Sequence, residues 1–416
     1  MRKSVKILLF ILGIFFSNFF LNKIQINNFL TDSCISLEIY TSYEIKTSQF
    51  HNLTGSPIII NGNGGWYTVN LTVEWCTGSG TFNDPYIIQN VLIDGQNSGN
   101  CIEIKNSDVY FIIKNCSVYY SGNGSSSAGI FLDNVKNGNL ADSIHSYDND
   151  YGIHLISCYN ITIEGNVIEN NHNFGIILGV SNDNLISNNI LYNNGYEGIF
   201  LGISNHSRII GNTVTNNGNF GIYIGSSSKN NTISENTVRN NNGGGIIAST
   251  SNNSTIRRNN VIHNKIGIEV WQSNYNKIYE NNISENYDIW GIWVAGGSEY
   301  NLFYNNCFIN NEVNAWDDGM NNNWNCSILG NYWDDYNGND ADNNGIGDIP
   351  YVINGSANSV DQLPLMQCSL LEDGVIEDIV IEISGYNIIL LTSILALISI
   401  ALFKKSKKNS NNPKKQ

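Results

Sequence analysis

The sequence predicts an all-β solenoid, a parallel β-helix with coils of about 23 residues. Three observations predict it: a fixed repeat, a two-residue apolar alternation inside each copy, and a recurring asparagine. Aligned on a glycine, the copies read GIFL at Gly129, GIHL at Gly152, GIIL at Gly175, GIFL at Gly198, GIYI at Gly221, GIIA at Gly245, GIEV at Gly267 and GIWV at Gly291, spaced by 23, 23, 23, 23, 24, 22 and 24 residues. A degenerate ninth copy, NAWD, starts 23 residues later at Asn314.

Within GIxL the apolar residues alternate with a variable one, the period of a strand with one buried face. Ile130 to Ile292 form one apolar column, Leu132 to Val294 a second, and Ile163, Ile186, Ile209, Ile233, Ile256 and Ile278 a third. The residues between are Asn, Gly and Ser, which favour turns because they tolerate positive φ or bond their own backbone. No segment of the repeat has a helical period. The asparagine of each Ile/Leu-x-x-Asn-x-hydrophobic signature falls at Asn166, Asn189, Asn212, Asn236, Asn259, Asn281, Asn305 and Asn331. Side-chain amides stacked about 4.8 Å apart can donate and accept along a ladder, so this column is structural.

Taken from its start, the chain opens with a basic and then apolar segment, 1–22, which reads as a signal peptide or signal anchor. Residues 23–95 read as N-terminal capping strands, with SPIIING, WYTVNLTVEW and PYIIQNVLIDG as the strands; an uncapped β-helix would expose a raw edge. The parallel β-helix then occupies 96–335, its CIEI and GIFL rungs at Cys101 and Gly129 separated by the loop SGNGSSS. A cap at 324–366 and a stalk at 367–385 follow. Tyr386 to Phe403 carries no charge and precedes KKSKK, which predicts a transmembrane helix at 386–403 and a basic cytoplasmic tail at 404–416, with the β-helix outside the cell.

Charge fits that division. Removing the three cations before the first apolar segment and the six after the last leaves 12 Lys+Arg against 36 Asp+Glu, a net charge of −24. Such a field repels nucleic acid, which is excluded as a partner, and attracts cations. Cysteines Cys34, Cys76, Cys101, Cys116, Cys158, Cys307, Cys326 and Cys368 contain no CxxC; disulfides are open to them in an oxidising compartment, and several fall at inward positions as small hydrophobes.

The segment GNYWDDYNGNDADNNGIGDIPYVINGSANSVDQLPLM, Gly330 to Met366, resembles the C-terminal signature of the NosD family of extracytoplasmic β-helix proteins, and the preceding coils resemble that family's repeats. GSGTFNDPYIIQNVLIDG, Gly78 to Gly95, is similar to the opening of surface members of the family. The resemblance covers roughly 78–366 and implies a right-handed parallel β-helix of the carbohydrate-binding and sugar-hydrolase type. It also implies copper, since the founding members are associated with copper delivery to nitrous oxide reductase. The donor set argues against copper: 3 Met and 6 His, with no HxH or MxxM, where clustered soft or imidazole ligands are needed.

Three sets of residues could carry function. Asp340, Asp342, Asn344, the Ile346 carbonyl and Asp348, around Gly345, fall at positions 1, 3, 5, 7 and 9 of a calcium loop that lacks its final glutamate, Tyr351 standing there. The third residue of each GIxL strand forms an outward column, Phe131, His154, Ile177, Phe200, Tyr223, Ile247, Glu269, Trp293 and Trp316. Its aromatic members Phe200, Tyr223, Trp293 and Trp316 suit flat sugar rings. His172, one coil above Asn149, with Asp148, Asp150 and His154 nearby, is the catalytic alternative. Arg208, Arg239, Arg257 and Arg258 are scattered along the sequence and are not set among acidic residues as a lyase would need. The sequence therefore predicts a membrane-anchored extracytoplasmic binding or structural module for polysaccharide, glycan or a surface-layer partner. The alternatives are a polysaccharide lyase, hydrolase or epimerase, and a ligand-free surface stalk.

Overall fold

The computed structural model describes residues 50–122, 124 and 127–368. The signal or anchor segment, the chain up to residue 49, the stalk beyond Cys368, the 386–403 span and the tail lie outside the described residues. Among the described residues no helix is long and apolar enough to cross a membrane.

The repeat folds as a right-handed parallel β-helix of about 11 turns. Each coil gives one strand to each of three sheets, one of 12 strands and two of 11. The front sheet runs from Ile58–Asn61 to Val313–Asp317, the second from Cys76–Thr77 to Leu302–Tyr304, and the third from His51–Asn52 to Tyr332–Trp333. Stacking is in register, so residues equivalent in sequence become neighbours: Ile153 pairs with Ile130 below and Ile176 above, and Ile163 with Ile186. The predicted inward columns are the core, with Ile130 to Ile292, Leu132 to Val294 and Ile163 to Ile278 fully buried. Each such side chain contributes about 2 kcal/mol of burial. The glycine opening each copy is required by this stacking, because a Cβ at Gly175 would lie 2.6 Å from the Gly198 carbonyl oxygen.

The corners explain the Asn-Asn pairs. In Asn193-Asn194, Asn216-Asn217 and Asn240-Asn241 the first residue takes a left-handed bend, with φ of 55°, 56° and 55°, and the second points inward. Each inward Asn bridges three coils. Asn189 Nδ2 donates to Ile163 O at 2.9 Å in the coil below, while its Nδ2 and its main-chain N–H both donate to Asn212 Oδ1 at 3.0 Å in the coil above. The ladder runs Asn166, Asn189, Asn212, Asn236, Asn259, Asn281, Asn306 and Asn331, ending where Asp361 Oδ2 accepts the Asn331 N–H at 2.7 Å. Asn305 is therefore corrected to Asn306. Asn305 is the bend residue, φ 51°, because the longer copy before it moves the inward position on by one. A second ladder, from Asn149 through Asn194 and Asn241 to Asn311, occupies the corner entering the front sheet, and Ser181 to Ser298 and Asn184 to Asn301 line the opposite corner.

The N-terminal cap differs from expectation in one element. SPIIING and PYIIQNVLIDG are strands, Ile58–Asn61, Tyr86–Gln89 and Val91–Asp94, but most of WYTVNLTVEW lies in helix α1, Gly62–Thr72. Its alternation belongs to a helix whose Thr68 and Thr72 hydroxyls donate to carbonyls four residues back. Trp66 decides the matter: fully buried, it stacks on Tyr86 at 5.2 Å, sits 5.1 Å from Phe111, and donates from Nε1 to Ser107 Oγ at 3.0 Å. A helix satisfies its own backbone, so it covers an apolar end without offering another open edge.

At the other end aromatic rings continue the core columns. Trp324 stacks on Phe303 at 4.2 Å and Trp333 on Phe308 at 4.3 Å, with Tyr351 a further 4.2 Å over Trp333. Buried Asp361 accepts from Asn331, Leu363 and Trp333 Nε1, and Cys307–Cys368 ties the last coil to the end of the cap. Cys76, Cys101, Cys116 and Cys158 are buried free thiols; burial pushes Cys116 up to about 12, leaving it an inert hydrophobe.

Candidate functional site

The front sheet's outer surface carries the expected column in unbroken register: Phe131, His154, Ile177, Phe200, Tyr223, Ile247, Glu269, Trp293 and Trp316 are successive pairing partners. Phe200 and Tyr223 meet edge to face at 5.1 Å. The structure adds a second row that the sequence reading missed. The residue before each repeated glycine also faces outward, and there stand Tyr151, Phe174, Phe220 and Trp290. Tyr151 stacks on Phe174 at 5.8 Å, Phe174 reaches Phe200 at 5.4 Å, and Trp290 stacks on Trp293 at 4.6 Å. Aromatic residues before four of the repeated glycines were the available signal. A third outward column contains Gly202 and Gly225, where a Cβ would lie 2.9 Å from the Phe200 ring and 2.5 Å from the Tyr223 ring; glycine lets those rings lie down on the sheet. The result is a two-row wall of half-buried rings.

Its charge is one-sided. Lys105 sits 5.4 Å over the Phe131 ring at one end, but from Asp133 to Trp316 these columns hold no Lys or Arg. They hold Glu197, buried and raised by that burial, whose Oε1 accepts from Asn219 Nδ2 at 2.7 Å, and Glu269, pushed by burial up to about 7. His154 is 7% exposed between Phe131 and Tyr151, each 5.2 Å away, and burial lowers it to about 4.

The proposed catalytic residues divide between two places. His172 lies one coil above Asn149 as expected, with Nδ1 3.0 Å from Asn149 O, and is exposed. Asp150 accepts a bond from Asn173; burial raises its carboxyl, and Asn173 and His172 partly offset that. Asp148 occupies the left-handed bend, φ 52°, and His154 belongs to the aromatic wall. An acid–base pair not anticipated lies on the third sheet, where His145 Nε2 and Glu169 Oε1 are 2.6 Å apart. Burial raises Glu169, but bonds with His145, Tyr192 and Asn170 hold it below the usual carboxylate range. The pair comes from separate coils, so no sequence motif marks it.

In the 340–348 loop, Asp340 accepts the N–H groups of Asn344 and Gly345 at 3.0 and 2.9 Å, and Asn344 Oδ1 accepts from Ile346 at 2.8 Å. Asp348 Oδ2 accepts from Ala341 at 2.9 Å. These are turn-forming bonds that leave lone pairs on each carboxylate. Among the described residues no three His, Cys, Asp or Glu side chains gather closely enough to hold a metal ion. No chemistry is assigned to copper. A cavity of about 630 Å³ where the last coil meets the C-terminal cap is lined by Glu285, Glu312, Asp334, Asp335 and Tyr351.

Comparison with known proteins agrees with this architecture. Residues 221–338 match the family model described as periplasmic copper-binding protein (NosD), and residues 100–261 match that of the right-handed β-helix region. The chain is thus similar to NosD over part of its length, and its fold is a right-handed β-helix. The NosD-like chain is 34% identical over 95 residues to the probable ABC transporter binding protein NosD of Pseudomonas aeruginosa, covering 23% of this chain and 21% of that one. It is 37% identical over the same length and coverage to the protein of that name in Stutzerimonas stutzeri. It thus spans about a fifth of the length of the curated relatives it matches. Among solved structures it is similar to the A-module of the Azotobacter vinelandii mannuronan C-5 epimerase AlgE6, with TM-score 0.50 and 15% identity over 65% of this chain and 88% of that one, a likeness of fold.

Proposed function

We propose that this NosD-like solenoid is an extracytoplasmic carbohydrate-binding module, held at the membrane by the 386–403 segment, with the two-row aromatic wall as its binding face. The in-register wall carries the reading. A strand face exposed to water is ordinarily polar, and a long stripe of rings beside glycines offers flat apolar surface where sugar rings stack. The family match to periplasmic proteins supports a position outside the cell, and the likeness to a polysaccharide-modifying enzyme is compatible with such a ligand. Turnover is the second reading, favoured by the His145–Glu169 pair and the Asp150–His172 corner.

The test is native electrophoresis of the detergent-solubilised full chain through gels holding neutral, amino and acidic polysaccharides. Retardation that is lost on changing Trp293 and Trp316 to alanine is the expected result. Cleared polymer would establish an enzyme instead, and no retardation in any polymer would leave the structural stalk.

Calcium in the Asp340–Asp348 loop is part of the proposal: its carboxylates accept turn bonds and are not gathered on one point, and the ion would have to draw them together. Chelator is expected to lower the thermal midpoint of the parent and to leave Asp342→Ala unaffected. A parent insensitive to chelator would remove the site.

A further inference from the structure

Four of the eight tryptophans, Trp271, Trp290, Trp293 and Trp316, lie together at the C-terminal end of the face. Trp293 is at their centre, 5.5 Å from Trp271 and 4.6 Å from Trp290, with Trp316 6.2 Å beyond Trp290. In register beside Trp293, and two residues before Trp271 in its own strand, is Glu269. Its side chain is 8% exposed and has neither hydrogen bond nor cation among the described residues, while Trp290 Nε1 is a buried donor without a partner.

A carboxyl set among indole rings with no protein partner is uncommon, because burying such a group without compensation costs several kcal/mol. Elsewhere this chain satisfies its buried acids: Asp361 accepts four bonds and Glu197 one. The arrangement does match one ligand chemistry. Ring faces attract an ammonium through their quadrupoles, and an adjacent carboxylate neutralises it. The surroundings agree, since the exterior part is strongly acidic and the outward columns hold no Lys or Arg from Asp133 to Trp316, so a polyanion is repelled and a polycation drawn in.

We propose that Glu269 with Trp271, Trp290 and Trp293 forms a subsite for an organic ammonium group, and that the polymer bound along the wall is an amino-sugar polysaccharide bearing free amines. The inference rests on the carbohydrate reading of the wall. Nine coils at about 4.8 Å give a face roughly 40 Å long, the span of several sugar rings, which suits a polymer better than a small cation. Burial pushes Glu269 up to about 7, and an ammonium seated beside it would favour the ionised carboxylate, so pairing is coupled to release of the carboxyl proton.

Calorimetric titration of the full chain in detergent with a glucosamine hexamer and with its fully N-acetylated counterpart, in a buffer where the free amines are protonated, tests this. The free-amine oligomer is expected to bind at least about tenfold more tightly, and Glu269→Gln, close in shape and uncharged, should bring the two affinities together. Trp293→Ala should weaken both. Equal affinities in the parent would overturn the ammonium subsite and leave the carbohydrate reading standing. A preference that survives Glu269→Gln would assign the selectivity to the overall negative field and also overturn it. Binding of neither oligomer, with no retardation by any polysaccharide, would remove the carbohydrate reading itself.

Discussion

Asn212→Ala is expected to destabilise the solenoid by about 4 kcal/mol, because it orphans buried groups in two neighbouring coils. Asn212 Oδ1 accepts the main-chain N–H and the Nδ2 of Asn189, and its Nδ2 donates to Ile186 O at 2.9 Å and to Asn236 Oδ1 at 3.0 Å. Alanine leaves the Asn189 N–H without an acceptor and Asn236 Oδ1 short of a donor, each worth about 1–3 kcal/mol in a dry interior. The control is Asn216→Gly, at an exposed left-handed bend of φ 56°, where glycine is at ease and the change should be within about 0.5 kcal/mol. Urea unfolding of the two variants reads the difference. Equal midpoints would mean that the amide ladder does not hold the coils together. Since a repeat array can unfold in parts, amide exchange at Asn189 gives an independent readout, with protection falling in Asn212→Ala alone.

Glu269→Gln should raise stability at alkaline pH by up to about 3 kcal/mol and change it little near pH 4. Burial raises the folded carboxyl from the ordinary 4.5 to about 7. The unfolded chain ionises first, so the group's favourable contribution is complete below about pH 4.5 and is lost as pH rises through about 7. Glutamine never ionises and escapes that loss. His154 works in the opposite direction: lowered by burial from 6.5 to about 4, it costs stability as pH falls between those values. Thermal unfolding of parent and Glu269→Gln at about pH 5 and about pH 8 separates the two groups. A variant whose advantage did not grow with pH would show that Glu269 is compensated in solution. The measurement bears on binding as well, because an uncompensated carboxyl is what the ammonium subsite requires.

Much of the wall was legible before the structure. Phe200, Tyr223, Trp293 and Trp316 sit where strand alternation placed them, because the outward position of a strand in a regular stack is fixed by its neighbours in sequence. The second row escaped notice because it lies on the other side of the repeated glycine, where the alternation is interrupted. Asn305 was misplaced by one residue for a related reason: at a corner two adjacent asparagines are interchangeable in sequence, and only the left-handed bend tells which of them turns inward.

The sequence by itself determined the period, the inward columns, the amide ladder and the outward column, since each coil repeats the one before and a single copy's alternation is multiplied along the stack. Only the tertiary structure decided that Gly62–Thr72 is a capping helix, that Cys307 joins Cys368, that His145 meets Glu169, and that Glu269 lies among tryptophans without a partner among the described residues. The helix and the disulfide arise at the ends, where the repeat stops and an apolar surface must be closed by whatever sequence is there. The other two depend on which side chains of different coils meet across the stack, and a group's lack of a partner is a property of everything around it.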